Sequence, residues 1–151
     1  MPTFESDADR ASQDEVRAIM AERFGLDVRS FGTLSEVDFY LARAGKVVAV
    51  AELKVRKNAS TAYPTVFLSV RKWLALAMLG FGHGCHALFV ARFTDCIKWI
   101  RLSDVDASRT LYFDTRRVYR IESDRELVIE VPVADMRTLH VFDGAADGVR
   151  R

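Results

Sequence analysis

"EVDFYLARAGKVVAVAELK", residues 36–54, decides how this chain is read. Two apolar runs flank a small-residue turn, yet Glu36, Asp38, Glu52 and Lys54 stand among them. Residues 36–43 alternate, with Val37, Phe39 and Leu41 on one side and Glu36, Asp38 and Tyr40 on the other, which predicts a strand. Residues 47–55 are apolar on both faces until Glu52, the mark of a central strand. A charged group buried without a partner costs several kcal/mol. The four charges therefore lie on a solvent-washed sheet face or form a site.

Side chains two apart on a strand point the same way. Glu36 and Asp38 thus share one face, and Glu52 and Lys54 share a face of the next strand. The short "RAGK" turn makes the pair an antiparallel hairpin, which brings Asp38 near Glu52 with Lys54 beside them. Two close carboxylates repel unless a cation or proton lies between them. Paired oxygen ligands suit Mg²⁺ or Mn²⁺, and a nearby ammonium would stabilise charge building on an attacked phosphorus. The plainer alternative is a surface Glu52–Lys54 pair of little energetic worth. The apolar character of "VVAVAELKV" speaks against that.

The remainder of the chain frames this stretch. At 151 residues, 50% hydrophobic and 28% charged, it reads as one globular domain with a real core. No apolar run approaches a membrane span, and the acidic start "MPTFESDADR" does not read as a secretory signal, so no membrane partner is expected. Cys85 and Cys96 give no disulfide framework, which points to reduced thiols and a cytoplasmic setting. The net charge of +1 hides an asymmetry. Residues 1–42 hold nine acids against four bases, whereas residues 43–72 hold seven bases against Glu52 alone. Such a basic block suits a polyanion such as DNA, although many such excesses are only a solvated face.

Ser12 and Glu15 form a capping box ahead of Val16, Ile19, Met20 and Phe24, so a helix is expected from about 13 to 24, stopped by Gly25. "LDVRSF" (26–31) reads as a short strand. After a loop over 58–64, Pro64 begins a second expected helix, with Val66, Val70, Trp73, Leu74, Ala77 and Met78 at helical spacing and Gly80 and Gly82 closing it. Residues 86–93 and 97–102 read as strands, 115–122 and 126–131 as a last pair, and the stretch from Pro132 as the start of a short closing helix. The first and last ten residues read as frayed termini. The core order is then α-β-β-β-α-β over about 13–102, with a β-rich C-terminal extension over about 110–140.

"EVD", thirteen intervening residues, then "ELK" on a hairpin between two helices resembles the PD-(D/E)XK nuclease superfamily. The pattern is most similar to the small branch of Holliday-junction-resolvase-like proteins with ExD…ExK. The resemblance spans about residues 13–93 and implies a restriction-endonuclease-like α/β (α+β) fold, a central mixed sheet flanked by helices. It also implies a Mg²⁺- or Mn²⁺-dependent nuclease acting on DNA. Asp38 and Glu52 would bind the metal and Lys54 would assist hydrolysis, with Glu36 matching the Glu of ExD. A Glu on the first helix near the metal would be Glu15, with Glu22 second, and Lys72 matches a basic position on the following helix. Ser35 stands where this branch commonly has Gly, and no Pro precedes Asp38.

Arg56, Lys57, Arg71 and Lys72 are expected to grip the phosphate backbone, and Tyr63 is the best placed aromatic for nucleic-acid contact. Trp73 falls on the expected apolar stripe and reads as core. His83, Cys85, His86 and Cys96 raise zinc, but His86 and Cys96 stand at opposite ends of a strand, about 20 Å apart. Junction cutting would favour a symmetric homodimer. The reading from a different class is a nucleic-acid-binding or assembly protein that keeps the fold without turnover.

Overall fold

A computed structural model describes residues 7–30, 37–114 and 125–143. Helix α1 (Asp7–Phe24) leads into β1 (Asp27–Ser30), then β2 (Phe39–Arg43) and β3 (Lys46–Val55), β4 (Thr65–Ser69) and α2 (Val70–His83). After these come β5 (His86–Arg92), β6 (Cys96–Arg101), β7 (Thr110–Asp114), β8 (Arg125–Pro132) and β9 (Arg137–Val141). A mixed sheet of six strands runs β1-β2-β3-β5-β6-β9, and a three-stranded sheet runs β4-β8-β7. Within the larger sheet β3 and β5 pair in parallel, the chain crossing between them through β4 and α2.

The two faces of the larger sheet are covered differently. One buries Phe39, Leu41, Ala49, Ala51, Leu53, Leu88 and Val90 against Val16 and Met20 of α1. On the other, Val37 and Val50 pack on Leu76 of α2, while Phe89, Ala91 and Ile100 meet Val66, Leu68, Ile129 and Val131 of the small sheet. Strand alternation sends Glu52 and Lys54 to this second face, the side of α2.

The β2–β3 turn holds Ala44 at φ 51° and Gly45 at φ 80°. Two positive φ values in a two-residue hairpin loop are the type I′ geometry, where a Cβ at the first position is strained by about 1 kcal/mol. Ala44→Gly is therefore expected to raise the melting temperature by a few degrees, which a thermal melt of the two proteins measures.

Several expectations need correction. Helix α1 begins at Asp7, so Ser12 lies inside it and does not cap it. The expected second helix divides: Thr65–Ser69 is a strand paired antiparallel with β8, and the helix starts only at Val70. Val66 and Leu68 are both buried, the period of a strand, which a short apolar run conceals beneath apparent helical spacing. The stripe through Leu74 and Met78 faces solvent, with 50% and 73% exposure, while Leu76 and Gly80 face the core. Helix α2 also continues past Gly80 and Gly82 to His83, where Gly84 (φ 63°) forms the left-handed cap. The expected closing helix is one 3-10 turn, Val133–Asp135, followed by β9 paired on β6. The strand expected over 115–122 lies outside the described residues; among the described residues β8 pairs with β4 and β7. The order α-β-β-β-α-β holds for the larger sheet, with β4 interposed and assigned to the small one.

Candidate active site

Asp38 directly precedes β2, whose register pairs Phe39 with Ala51, and so stands at the end of β2 beside Glu52 on β3. The backbone N–H of Leu53 donates to Asp38 Oδ2 at 2.7 Å, which fixes this carboxylate against the site strand. Glu52 is 9% exposed. Its Oε1 is buried with no hydrogen-bond partner among the described residues, and its Oε2 lies 3.8 Å from Lys72 Nζ. Burial pushes the Glu52 carboxyl up to about 8, the charge of Asp38 adds to the rise, and Lys72 and Lys54 pull against it. Lys54 stands two residues along on the same strand face with an exposed side chain.

Helix α2 delivers Lys72 from its first turn. Ser69, the last residue of β4, accepts a hydrogen bond from the Lys72 N–H at 3.1 Å, so the end of that strand also caps the helix. A sequence hint for this existed, because Ser69 directly precedes "VRKW".

Other named residues fall at the same end of β3. The Arg56 N–H donates to Arg92 O at 2.8 Å, carrying the strand pairing one residue further, and Lys57 follows with its side chain in solvent. Tyr63 is 59% exposed and Arg71 is exposed on α2. The connecting loop is anchored by two residues that sequence reasoning missed. The Ser60 N–H and hydroxyl donate to Asp95 Oδ1 and Oδ2 at 2.7 and 2.6 Å, and Thr94 N–H donates to Asn58 O at 3.1 Å. Burial alone would raise the Asp95 carboxyl, but the bonds from Ser60 outweigh it and hold it below its usual range. No local pattern announces a contact between residues 35 apart in sequence.

The structure does not bring every candidate to the pair. Glu15 accepts from Arg92 Nη2 at 3.0 Å, and Arg92 alternates with Leu88 and Val90 onto the α1 face, away from Glu52. Glu22 is exposed further along α1, and Glu36 lies outside the described residues. Among the described residues no group of three or more His, Cys, Asp or Glu is placed to hold an ion. Both cysteines are free.

The donor chemistry fits a hard divalent cation. Two adjacent carboxyl groups, one with a buried oxygen lacking a donor among the described residues, form an oxygen-only seat. Mg²⁺ commonly uses one or two carboxylates and completes its shell with water.

A strand pair presenting Asp38, Glu52 and Lys54 beside a helix-borne lysine, within this mixed α+β architecture, defines a PD-(D/E)XK, restriction-endonuclease-like protein. The chain belongs to the family described as "Phage putative PDDEXK endonuclease", which matches it over residues 1–139. Among solved structures it is similar to Hjc of Archaeoglobus fulgidus, a Holliday junction resolvase from an archaeal hyperthermophile. The two share 12% identity at a TM-score of 0.51, covering 82% of this chain and 96% of that one, a likeness of fold. No curated protein sequence matches.

Proposed function

We propose that this chain is a divalent-metal-dependent nuclease that hydrolyses DNA phosphodiester bonds by attack of water. The observation that carries the reading is Glu52, buried beside Asp38 with one oxygen lacking a donor among the described residues. Asp38 and Glu52 would hold Mg²⁺ or Mn²⁺, and Glu36 is the proposed further carboxylate, since Glu15 is engaged by Arg92 on the opposite face. The bound ion would supply Lewis-acid polarisation of the phosphate. Lys54 would orient the attacking water and steady the negative charge that develops on the phosphate oxygens. Lys72 would hold Glu52 in place and, with Arg56, Lys57, Arg71 and Tyr63, grip the strand.

The test has two parts. Mn²⁺ at a hundredfold excess over its dissociation constant should stabilise the protein by about 2.7 kcal/mol in thermal melts. Plasmid should be cut with Mg²⁺ or Mn²⁺ and left intact with EDTA. A protein whose melt ignores both ions sinks the reading. The rival reading is a nucleic-acid-binding or assembly protein that keeps the fold without turnover. That rival predicts binding with no cleavage under any ion.

If the basic side chains at this end of β3 grip phosphates, affinity should fall with salt at a slope of about 0.9 per contacted duplex phosphate. Replacing Arg56 and Lys57 together by Ala should flatten the slope by nearly two contacts, as read by filter binding across a salt series. An unchanged slope would remove both from the interface. A symmetric homodimer completes the proposal, since cutting two strands of a junction needs two copies of the site. No helix among the described residues is long and apolar enough to cross a membrane. A nuclease with free thiols and DNA as substrate belongs in the cytoplasm.

A further inference from the structure

The basic block that the sequence gathers into residues 43–72 separates in space. Lys54, Arg56, Lys57, Arg71 and Lys72 collect at the end of β3 that carries Glu52. Arg43 and Lys46 do not. They are Cα partners across the β2–β3 turn, at the opposite end of β3. There they meet His83 from the end of α2, His86 from the start of β5 and Arg101 from the end of β6, around an open hollow of about 680 Å³.

The lining is one-signed. All five of these side chains are exposed and carry or can take a positive charge, and among the described residues no Asp or Glu lines the hollow. None of the five forms an ion pair with a described residue. Beneath them the floor is apolar, made by Leu41, Ala49 and Leu88 with Phe24 as a wall. Leu41, Ala49 and Leu88 belong to the α1 face, whereas Glu52 points to the α2 face, so this hollow is separate from the Asp38–Glu52 site.

We propose that the hollow binds a nucleoside monophosphate, the phosphate held at the rim by Arg43, Lys46 and Arg101 and the flat base set on the apolar floor. Each half of the ligand answers one feature. Concentrated like charges with no counter-charge favour an anion, and guanidinium forks match the oxygens of a phosphate dianion better than a point charge does. The volume lies within the range of about 300–1,000 Å³ typical of small-molecule sites, more than an inorganic ion fills. The apolar floor is best covered by a body that needs no hydrogen bonds there. The assignment stands on this geometry alone and does not depend on the nuclease reading.

Isothermal calorimetry with each 2′-deoxynucleoside 5′-monophosphate on the metal-free protein tests it, with Trp99 in the lining as a fluorescence reporter. Saturable binding below about 1 mM is expected, weakened at least tenfold in the Arg43→Ala, Arg101→Ala double variant and several-fold in Lys46→Ala. Thermal melts establish that the variants fold, and Arg43→Gln with Arg101→Gln replaces the alanine pair if they do not. Inorganic phosphate should compete only at much higher concentration. Heat that does not saturate, a double variant that binds like wild type, or decanoate binding more tightly than every nucleotide would each overturn the proposal.

Discussion

Glu52→Gln is expected to make the metal-free protein melt higher than wild type at pH 8.5 and at nearly the same temperature at pH 5. In the folded protein Glu52 keeps its proton up to about pH 8, whereas an unfolded glutamate loses it near 4.5. Between those values the native state binds more protons than the unfolded one, so stability falls as pH rises. The loss begins near the unfolded value, accumulates across the window and is complete above about pH 8. At 1.36 kcal/mol per unit, the penalty is on the order of 3–5 kcal/mol, roughly 10 °C for a chain of this size. Gln keeps the shape, cannot ionise, and presents an N–H to the neighbouring Asp38. Comparing the two proteins cancels the titrating groups that do not interact with Glu52. The cation should replace the proton, so Mn²⁺ should flatten the wild-type pH dependence, leave the variant unchanged, and restore no cleavage to it. Parallel melts that coincide from pH 5 to 8.5 would show that Glu52 is not held in a desolvated, anion-crowded place.

Lys54→Ala is expected to lower cleavage by about 10²–10⁴-fold, the range for a positioned proton-handling or charge-stabilising group. Stabilisation by Mn²⁺ should persist or grow, because a nearby ammonium opposes the cation. Lys54→Arg should not rescue the rate, since a planar fork does not reproduce a compact ammonium. Single-turnover rates with saturating ion separate this from weaker substrate binding. Wild-type rates from the alanine variant would take Lys54 out of the chemistry.

How much of this was legible in the sequence depended on how local the determining interactions are. The hairpin was, because alternation and a two-residue turn act within a few residues, and its register then carried Asp38 to Glu52. Lys72 was legible only through the resemblance, as a basic position on the following helix; its 3.8 Å approach to Glu52 depends on that helix starting at Val70 and not near Pro64. Residues 65–69 were misread because Val66 and Val70 satisfy helical spacing as well as Val66 and Leu68 satisfy a strand's, and only the distant β8 decides between them. The engagement of Glu15 by Arg92 was equally out of reach, since it spans 77 residues. The same holds for the divided basic block: charge is counted along the chain, but a ten-residue strand places its two ends about 30 Å apart at about 3.3 Å per residue.

The pairing of β4 with β8 also has a consequence for biosynthesis. Ser69 ends β4 and caps the helix that carries Lys72, yet the strand that holds β4 in place lies roughly sixty residues further along. A ribosome making about 5–20 residues per second needs roughly 3–12 s to cover that distance. Over most of that interval β2, β3 and α2 have already been made, while the anchor for the helix start has not. The nascent chain thus carries its paired carboxylates for seconds before the lysine opposite them is seated, and the Asp38–Glu52–Lys72 cluster is assembled among the last steps of synthesis.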